Sequence, residues 1–550
     1  MDHLPATLKS SDGAEDPFIF KLHEEIVWRI FLFNADLNDE IVVDLGRSLA
    51  APPGQDPAFT TNGLTVTRRT SQVCRSWRSL ILSSSAIWGR VIHLHILNHA
   101  SQMWCHEVLK RTGEAPLDIK GELLGMSPAR TPFFSFLVEH HWARIRSLDI
   151  SIFGVPWIRE EAWGFLKQPA PNMQVFSISF NDGDVYPNKP NFFSETDMEL
   201  FVNRAASLRE FRITQITFDP DASWLAHLRH LDLGSPFALH QLFEVLKHTP
   251  VLEKLIIRGK IIDESRSTEE HPQIILPRLR NINIAHRLTT CLAILECIVP
   301  ASGSGLTILA RDNIEEAPLS TAEITRLRLT ISRFSKGYFS AWKAMKVYLE
   351  VKDHTFRFES RFTSDKMRLP PISAPEFNIK LENSNGFPRQ ASLSILGDLA
   401  DNSFPNVSTL TIHIFPPMLH PVDSQFTSFI VSLASVNELH ATPYALGLLV
   451  DMPHPLQDGK SNSTAVFPQL RTLVVDSEFD QLSITKFLAW KREIGGTTIE
   501  VLDLTNVKIN HADEVGEAMG KFDGLKILKG KTQAQRVEGL NAWLAEVLKK

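Results

Sequence analysis

The chain has only four cysteines in 550 residues, Cys74, Cys105, Cys291 and Cys297. That is too few for a disulfide framework and points to a reducing compartment, the cytoplasm or the nucleus. No run of about 18 apolar residues is present, so no membrane-spanning helix is expected, and a membrane is not among the expected partners. No basic-then-apolar leader follows Met1, so an intracellular location is expected. Neither sign of charge prevails: the formal net charge is −6 and the pI is near 6.4. Nucleic acid is therefore not an expected partner. The densest basic cluster, Arg68, Arg69, Arg75 and Arg78, reads as the solvated side of a helix. Catalytic signatures are missing too. There is no dinucleotide-type glycine fingerprint, nucleophile elbow or His-Glu-x-x-His run, and the flexible turn 301–305 lacks the Lys of a phosphate loop. His93, His95, His99, Cys105 and His106 are close in sequence, but a structural zinc site wants paired short spacings on both sides. Nothing downstream completes four ligands. No metal, no cofactor and no catalytic residue are expected, and the chain reads as a non-enzyme.

What the sequence does have is apolar residues, 43% of the chain, enough to bury more than one core. From about residue 140 they recur in the form apolar-x-x-apolar-x-apolar. Ile145, Leu148 and Ile150 carry it first. Met173, Leu208, Leu228, Leu252 and Leu279 open the next copies. Val407, Val436, Leu470, Ile499 and Leu525 open a second series. Their spacing is irregular and centred where leucine-rich repeats sit. The segments between them carry helical periodicity. Met198, Phe201, Val202 and Ala205 follow a near capping box at 194–197. Leu239, Leu242, Phe243 and Leu246 stop at Pro250, and Leu288, Leu292, Leu295 and Ile298 stop at Pro300. Phe487, Leu488 and Trp490 precede Gly495 and Gly496. Strand, turn and helix in repetition predict a solenoid whose units bury their faces only against neighbours.

Between the two series the pattern weakens. Leu306 and Ile308, then Ile324, Leu327 and Leu329, fit as degenerate repeats. Alternation over 346–351 and 355–360 predicts strands of a less regular insert, and 364–390, with Pro370, Pro371, Pro375 and Pro388, reads as loop. Val537, Leu540, Trp543, Leu544, Val547 and Leu548 line one side of a last helix, suited to capping the array.

The N-terminal part is different. Leu22, Ile26 and Ile30 fall at i, i+4 and i+8, flanked by Val27 and Phe31; Val73, Trp77, Leu80 and Ile81 mark a second amphipathic helix. Together, Leu22 to Phe31, then Val73, Cys74 and Trp77, then Trp88 after a Ser-rich turn, resemble the two halves of an F-box. His23 stands where that family usually has Pro. The stretch between the halves is long and rich in Pro and Gly, an insertion that loop-closure entropy tolerates.

The fold class predicted is α/β: a short all-helical F-box-like N-terminal module followed by an irregular leucine-rich-repeat α/β solenoid. The expected organisation is a mobile lead over 1–17 and the F-box-like domain over 18–92 with an inserted loop at about 34–66. A connecting segment over 93–140, the solenoid over 141–531 with an irregular stretch at 333–405, and a capping helix over 532–550 complete it. Residues about 46–63 are expected to be mobile. The resemblance implies a substrate-recognition adaptor of an SCF-type cullin-RING ubiquitin ligase. Its partners would be a Skp-type linker subunit, through it a cullin, and an unknown target protein. Leu22, Glu25, Ile26, Ile30, Phe31, Val73, Cys74, Trp77, Leu80 and Trp88 would then form or support the linker-binding surface. The alternative is a leucine-rich-repeat binding scaffold acting outside any ligase. Strand geometry sends the residues between the apolar motif positions to the opposite face. Glu210, Arg212, His230, Asp232, Lys254, Arg258, Asn281 and Asn283 are thus the expected target-binding residues.

Overall fold

The computed structural model describes residues 22–36, 62–98, 100–124, 132–153, 160–180, 199–214, 216–234, 236–259, 261–262, 273–312, 319–361, 375–402, 404–453, 466–476, 480–494, 497–507, 522 and 524–529. Contacts divide the chain into two units, Met1–Trp224 and Leu225–Lys550. The fold is mixed α/β. The expected lead at 1–17, the mobile segment at 46–63 and the C-terminal helix at 532–550 lie outside the described residues, save Asn62 and Gly63.

The first unit opens with four helices, Glu24–Ala35, Gly63–Thr70, Arg75–Ser83 and Ser85–Arg90. The first begins at His23, whose Nδ1 accepts from the Glu25 N–H at 3.3 Å. The φ of His23, −60°, is the value a Pro would fix, and its ring adds a cap that Pro could not supply. Glu24 and Glu25 follow in the first turn, where the helix dipole favours carboxylates. Val27, Phe31 and Ala35, at i, i+4 and i+8, are the buried stripe. Gly63 opens the second helix because nothing larger fits: a Cβ there would lie 2.3 Å from the Ala35 carbonyl oxygen. Asn62 caps that helix through the Thr65 N–H at 2.8 Å.

A parallel ladder follows in chain order: β1 Ile92–His93, β2 Leu117–Leu124, β3 Ile145–Phe153, β4 Val175–Phe180 and β5 Glu210–Ile213. Helix Gln102–Thr112, β2 and helix Pro132–His140 lie in the expected connecting segment. In register, Ile119, Leu148, Phe176 and Phe211 form one buried row. The helical face expected from Phe201 to Ala205 does not form. Leu200–Asn203 is a 3-10 turn with positive φ at Phe201, Val202 and Asn203. That unusual backbone delivers the Phe201 ring edge-on to Phe176 at 5.1 Å, where it is fully buried. Aromatic burial overrides the local helical pattern here.

The second unit carries the remaining strands: β6 His230–Leu233, β7 Phe237–Ala238, β8 Lys254–Ile257, β9 Ile261–Ile262, β10 Ile274–Ile275, β11 Asn281–His286, β12 Ile298–Val299 and β13 Gly305–Asp312. Next come β14 Lys346–Lys352, β15 Thr355–Arg361, β16 Phe377–Asn383, β17 Thr409–Ile414, β18 Glu438–Ala441, β19 Thr472–Val475, β20 Val501–Leu504 and β21 Lys526–Lys529. Two small parallel pairs, β7 with β9 and β10 with β12, stand apart from the main ladder. Ile298, expected to end a helix, belongs to β12 instead. In the ladder β6, β8, β11 and β13 are parallel neighbours, as are β17 to β21. The motif's middle residues stay aligned across strands. Leu231, Leu255, Ile282 and Leu306 make one buried row, and Leu410, Leu439, Leu473 and Leu502 another.

Helices return the chain between parallel strands, as parallel pairing requires. Leu239–Lys247, Leu288–Cys297 and Gln481–Glu493 occupy the places their periodicity predicts. Arg389–Ala400, Ser424–Val431 and Pro443–Val450 add to them, and Leu288–Cys297, Thr321–Ala341, Arg389–Ala400 and Ser424–Val431 pack each on the next.

Two expectations for the irregular stretch are corrected. Ile324, Leu327 and Leu329 are not a repeat strand but part of the helix Thr321–Ala341. A capping box of Ser320 and Glu323 starts it, and Leu327, Ile331, Phe334 and Tyr338 bury one helical stripe. Residues 364–390 are not all loop: β16 alternates buried and part-exposed side chains from Phe377 to Asn383. Here the ladder is interrupted. β16 pairs in parallel with β13, β15 runs antiparallel between β16 and β14, and β14 pairs in parallel with β17.

Candidate interaction surfaces

In the first unit the expected linker residues divide by burial. Phe31 and Trp88 are core residues. The Trp88 indole N–H donates to the Ile81 carbonyl at 2.8 Å, with the Arg111 guanidinium 4.9 Å from its ring centroid. Trp77 is half-buried and meets Phe31 edge-on at 5.1 Å. Leu22 and Leu80 are likewise half-buried. Glu25 is exposed and pairs with Arg29 at 2.6 Å. The Cys74 thiol bonds with the Ser76 hydroxyl at 3.2 Å, and that bond leads in holding its pKa below the usual thiol range.

Ile26, Ile30 and Val73 are exposed, at 48%, 37% and 59%, and Phe33 at 74% joins them. Ile26, Ile30 and Phe33 fall at i, i+4 and i+7, so the first helix carries a second apolar stripe besides its buried one. Phe33 is absent from the expected set, although its spacing from Ile26 is plain in the sequence. Trp28 anchors the helix at its side, its indole N–H donating to Ser84 Oγ at 2.9 Å, and Arg90 pairs with Asp36 near its end. Arg68, Arg69, Arg75 and Arg78 are exposed but divide between two helices, Gly63–Thr70 and Arg75–Ser83, and the Arg68 guanidinium lies 5.2 Å from the Trp104 ring centroid. Cys105, from the His/Cys group, is buried and donates to the Leu97 carbonyl at 3.1 Å. Among the described residues no group of three or more His, Cys, Asp or Glu is placed to hold a metal.

The expected target residues fall in both units. Glu210 and Arg212 sit on β5 of the first and form an ion pair with each other. The other six belong to the second. His230, Lys254 and Asn281 share one register row of β6, β8 and β11. Asp232 and Asn283 share the next row, but Ile256 stands between them and is buried, so that row is not continuously polar. Arg258, just past β8, reaches back to Asp232 at 3.3 Å.

A denser polar group lies further along the same unit, outside the expected set. Tyr348 donates its hydroxyl to Glu350 at 3.1 Å and lies 3.3 Å from His413 Nδ1. His413 Nε2 is 3.2 Å from Asp476, and the Asn506 amide donates to the other Asp476 oxygen at 3.2 Å. His440 faces Asp476 at 3.8 Å and Glu438 at 2.6 Å. Burial works to raise the Asp476 pKa, but the hydrogen bonds from His413 and Asn506 outweigh it and the net shift is downward. Burial, then the Glu350 charge, push the Tyr348 phenol up to about 12. It therefore stays protonated and acts as a hydrogen-bond donor rather than a nucleophile. The arrangement offers donors and acceptors on rigid strands, suited to holding a polar ligand. Alternation over 346–351, carried across to the motifs at 407 and 436, was the signal that could have found it.

The described helices include none long and apolar enough to cross a membrane. No protein-family model matches the chain, and no curated protein is significantly similar to it.

Proposed function

We propose that this chain is the substrate-recognition adaptor of an SCF-type cullin-RING ubiquitin ligase. Its N-terminal helices act as an F-box that docks on a Skp-type linker and through it on a cullin. Its strand and helix array acts as an irregular leucine-rich-repeat solenoid that holds the target protein. The observation that carries the reading is the exposed stripe of Ile26, Ile30 and Phe33 on a helix that already has its own buried stripe. A water-facing apolar row on a short helix marks a helix that packs against a partner. Val73 adds a further exposed apolar side chain at the start of the motif's second half. The polar strand face of the second unit supports a role in holding a folded or extended polypeptide. The chain then performs no chemistry of its own. It raises the effective concentration of the target near an enzyme that another subunit carries.

The test is direct capture of a purified Skp-type linker by the full-length chain, followed by mass spectrometry of what the complex retains from a lysate. A stoichiometric linker complex is expected. Failure of the folded chain to capture the linker overturns the ligase reading and leaves a binding scaffold outside any ligase.

A further inference from the structure

The interruption of the ladder places an unusual set of charges on one sheet face. Arg311 of β13, Lys380 of β16, Arg357 and Arg361 of β15 and Lys352 of β14 all stand at positions that alternate with buried side chains. They fill neighbouring register positions: Lys380 is opposite Arg357, and Arg361 is opposite Lys346. The carboxylates between them on these strands are Glu350, Glu359 and Glu382. Cations outnumber carboxylates two to one in a chain whose net charge is −6.

Two of the carboxylates lie deeper than the cations, while Glu382, 31% exposed, is level with Lys380 at 34%. Glu350 and Glu359 are 10% and 13% exposed, whereas Arg311 and Arg361 are 64% and 66% exposed. Each carboxylate holds cations. Glu359 pairs with Arg357 and, at 3.1 Å, with Arg361. Glu382 pairs with Lys380 and, at 2.8 Å, with Arg311, and Glu350 pairs with Lys352. Burial alone would raise the Glu350 and Glu382 pKa values; the Lys352 and Lys380 contacts reverse the sign, so both stay ionised and keep their cations in place. Guanidinium forks held this way lose little freedom on meeting a second carboxylate or a phosphate. Phe415 lies beside them, 40% exposed, with the Lys352 ammonium 4.9 Å from its ring centroid.

We propose that this face, on β13, β16, β15 and β14, is a binding site for an extended acidic peptide of a partner protein. The charge complementarity sets the ligand class. Across strands two pairs of cations, Lys380 with Arg357 and Arg361 with Lys346, stand side by side at about 4.8 Å, and along β15 Arg357 and Arg361 are four residues or about 13 Å apart, matching every fourth side chain of an extended chain. The interleaved carboxylates repel a continuous phosphate backbone, which disfavours nucleic acid as the occupant. The site does not depend on the chain joining a ligase.

Fluorescence anisotropy of the full-length chain with a labelled peptide of alternating Glu and Ser tests the site, with a phosphoserine version as a second arm to separate carboxylate from phosphate as the acidic group. Binding that weakens as salt rises is expected for at least one peptide. The triple variant Arg311→Gln, Arg361→Gln, Lys380→Gln should bind at least about tenfold more weakly while melting like the parent. A control triple, Lys247→Gln, Arg471→Gln, Lys486→Gln, should bind like the parent. Equal loss in both triples reduces the effect to net charge and overturns the site, as does no binding of either peptide. Tighter binding of a single-stranded oligonucleotide than of both peptides overturns the ligand class.

Discussion

The stripe on the first helix gives the sharpest quantitative expectation. Replacing Ile26 and Ile30 together by Gln keeps their inner methylenes and helix propensity but places an amide where the apolar tip meets water. Full burial of an Ile side chain stabilises by roughly 1.5–3 kcal/mol. Ile26 is 48% and Ile30 37% exposed, so what docking still has to bury is about 1 kcal/mol for each. The double variant should therefore weaken linker binding by about 2 kcal/mol, or roughly thirtyfold. Titration calorimetry against purified linker reads that change, and a thermal melt of the free chain reads folding. The melt should move little, because surface substitutions away from packed features are usually neutral. Trp77→Ala is the contrast. Trp77 packs on Phe31 inside the module, so its loss should lower the melt and weaken linker binding through the fold. A double Gln variant that stays folded and binds within threefold of the parent would refute the docking stripe.

Three further outcomes follow from buried polar groups and caps. Arg146 makes two bonds to Asp118, at 2.9 and 2.6 Å, and the Asp118 side chain is only 8% exposed. Arg146→Ala strands that carboxylate and should cost about 3 kcal/mol by denaturant unfolding, whereas a loss under about 1 kcal/mol would mean that the pair is solvated. Lys491 is 2% exposed and donates to the Val466 and Phe467 carbonyls at 3.2 and 2.9 Å, and burial lowers its pKa. The unfolded chain then binds the proton more tightly, so stability should rise as pH climbs from the depressed folded value toward about 10.5. In Lys491→Met that rise should vanish and about 1–3 kcal/mol should be lost at neutral pH, because the Val466 carbonyl loses the ammonium while that of Phe467 keeps only the Leu470 N–H; an unchanged pH slope would contradict the assignment. Ser320→Ala removes one half of the capping box of helix Thr321–Ala341 and should cost about 1 kcal/mol in a thermal melt, with Ser320→Asp restoring it.

The ladder was legible because its signal is a register, repeated. Leu231, Leu255, Ile282 and Leu306 each sit in the middle of an apolar-x-x-apolar-x-apolar motif or its remnant, and the structure aligns them side by side. The same motif misleads at Ile324, Leu327 and Leu329, because a step of three is also helical; Ser320 and Glu323 ahead of it, with Ile331, Phe334 and Tyr338 beyond, settle the matter. β16 was hidden by its neighbours: Pro375 and Pro388 bracket a clean alternation that runs from Phe377 to Leu381. At Phe201 a helical pattern yields to an aromatic cluster assembled from distant segments, which no local window contains. For the interaction surfaces, periodicity separates faces but cannot say which face is left uncovered. Phe31 and Ile30 are adjacent in sequence and equally apolar; only packing puts one inside and the other in water. The polar group around Asp476 depends on a register between β14 and β17 that skips two strands.

That skip bears on how the chain is made. During synthesis the growing edge is β13, and the strand that completes it, β16, emerges only after helix Thr321–Ala341, β14 and β15 have left the ribosome. At about 5–20 residues per second, several seconds pass in which β13 offers an open edge to any other nascent chain. Meanwhile β14 and β15, joined by Asp353 and His354, can close on each other at once and give the later strands a seed that needs nothing upstream. β16 pairs with β13 on one side and β15 on the other, so it joins the two, and a ribosomal pause before Phe377 would lengthen the time for which the β13 edge stands open. Codon choice across 313–376 would then tune yield without altering one residue of the finished protein.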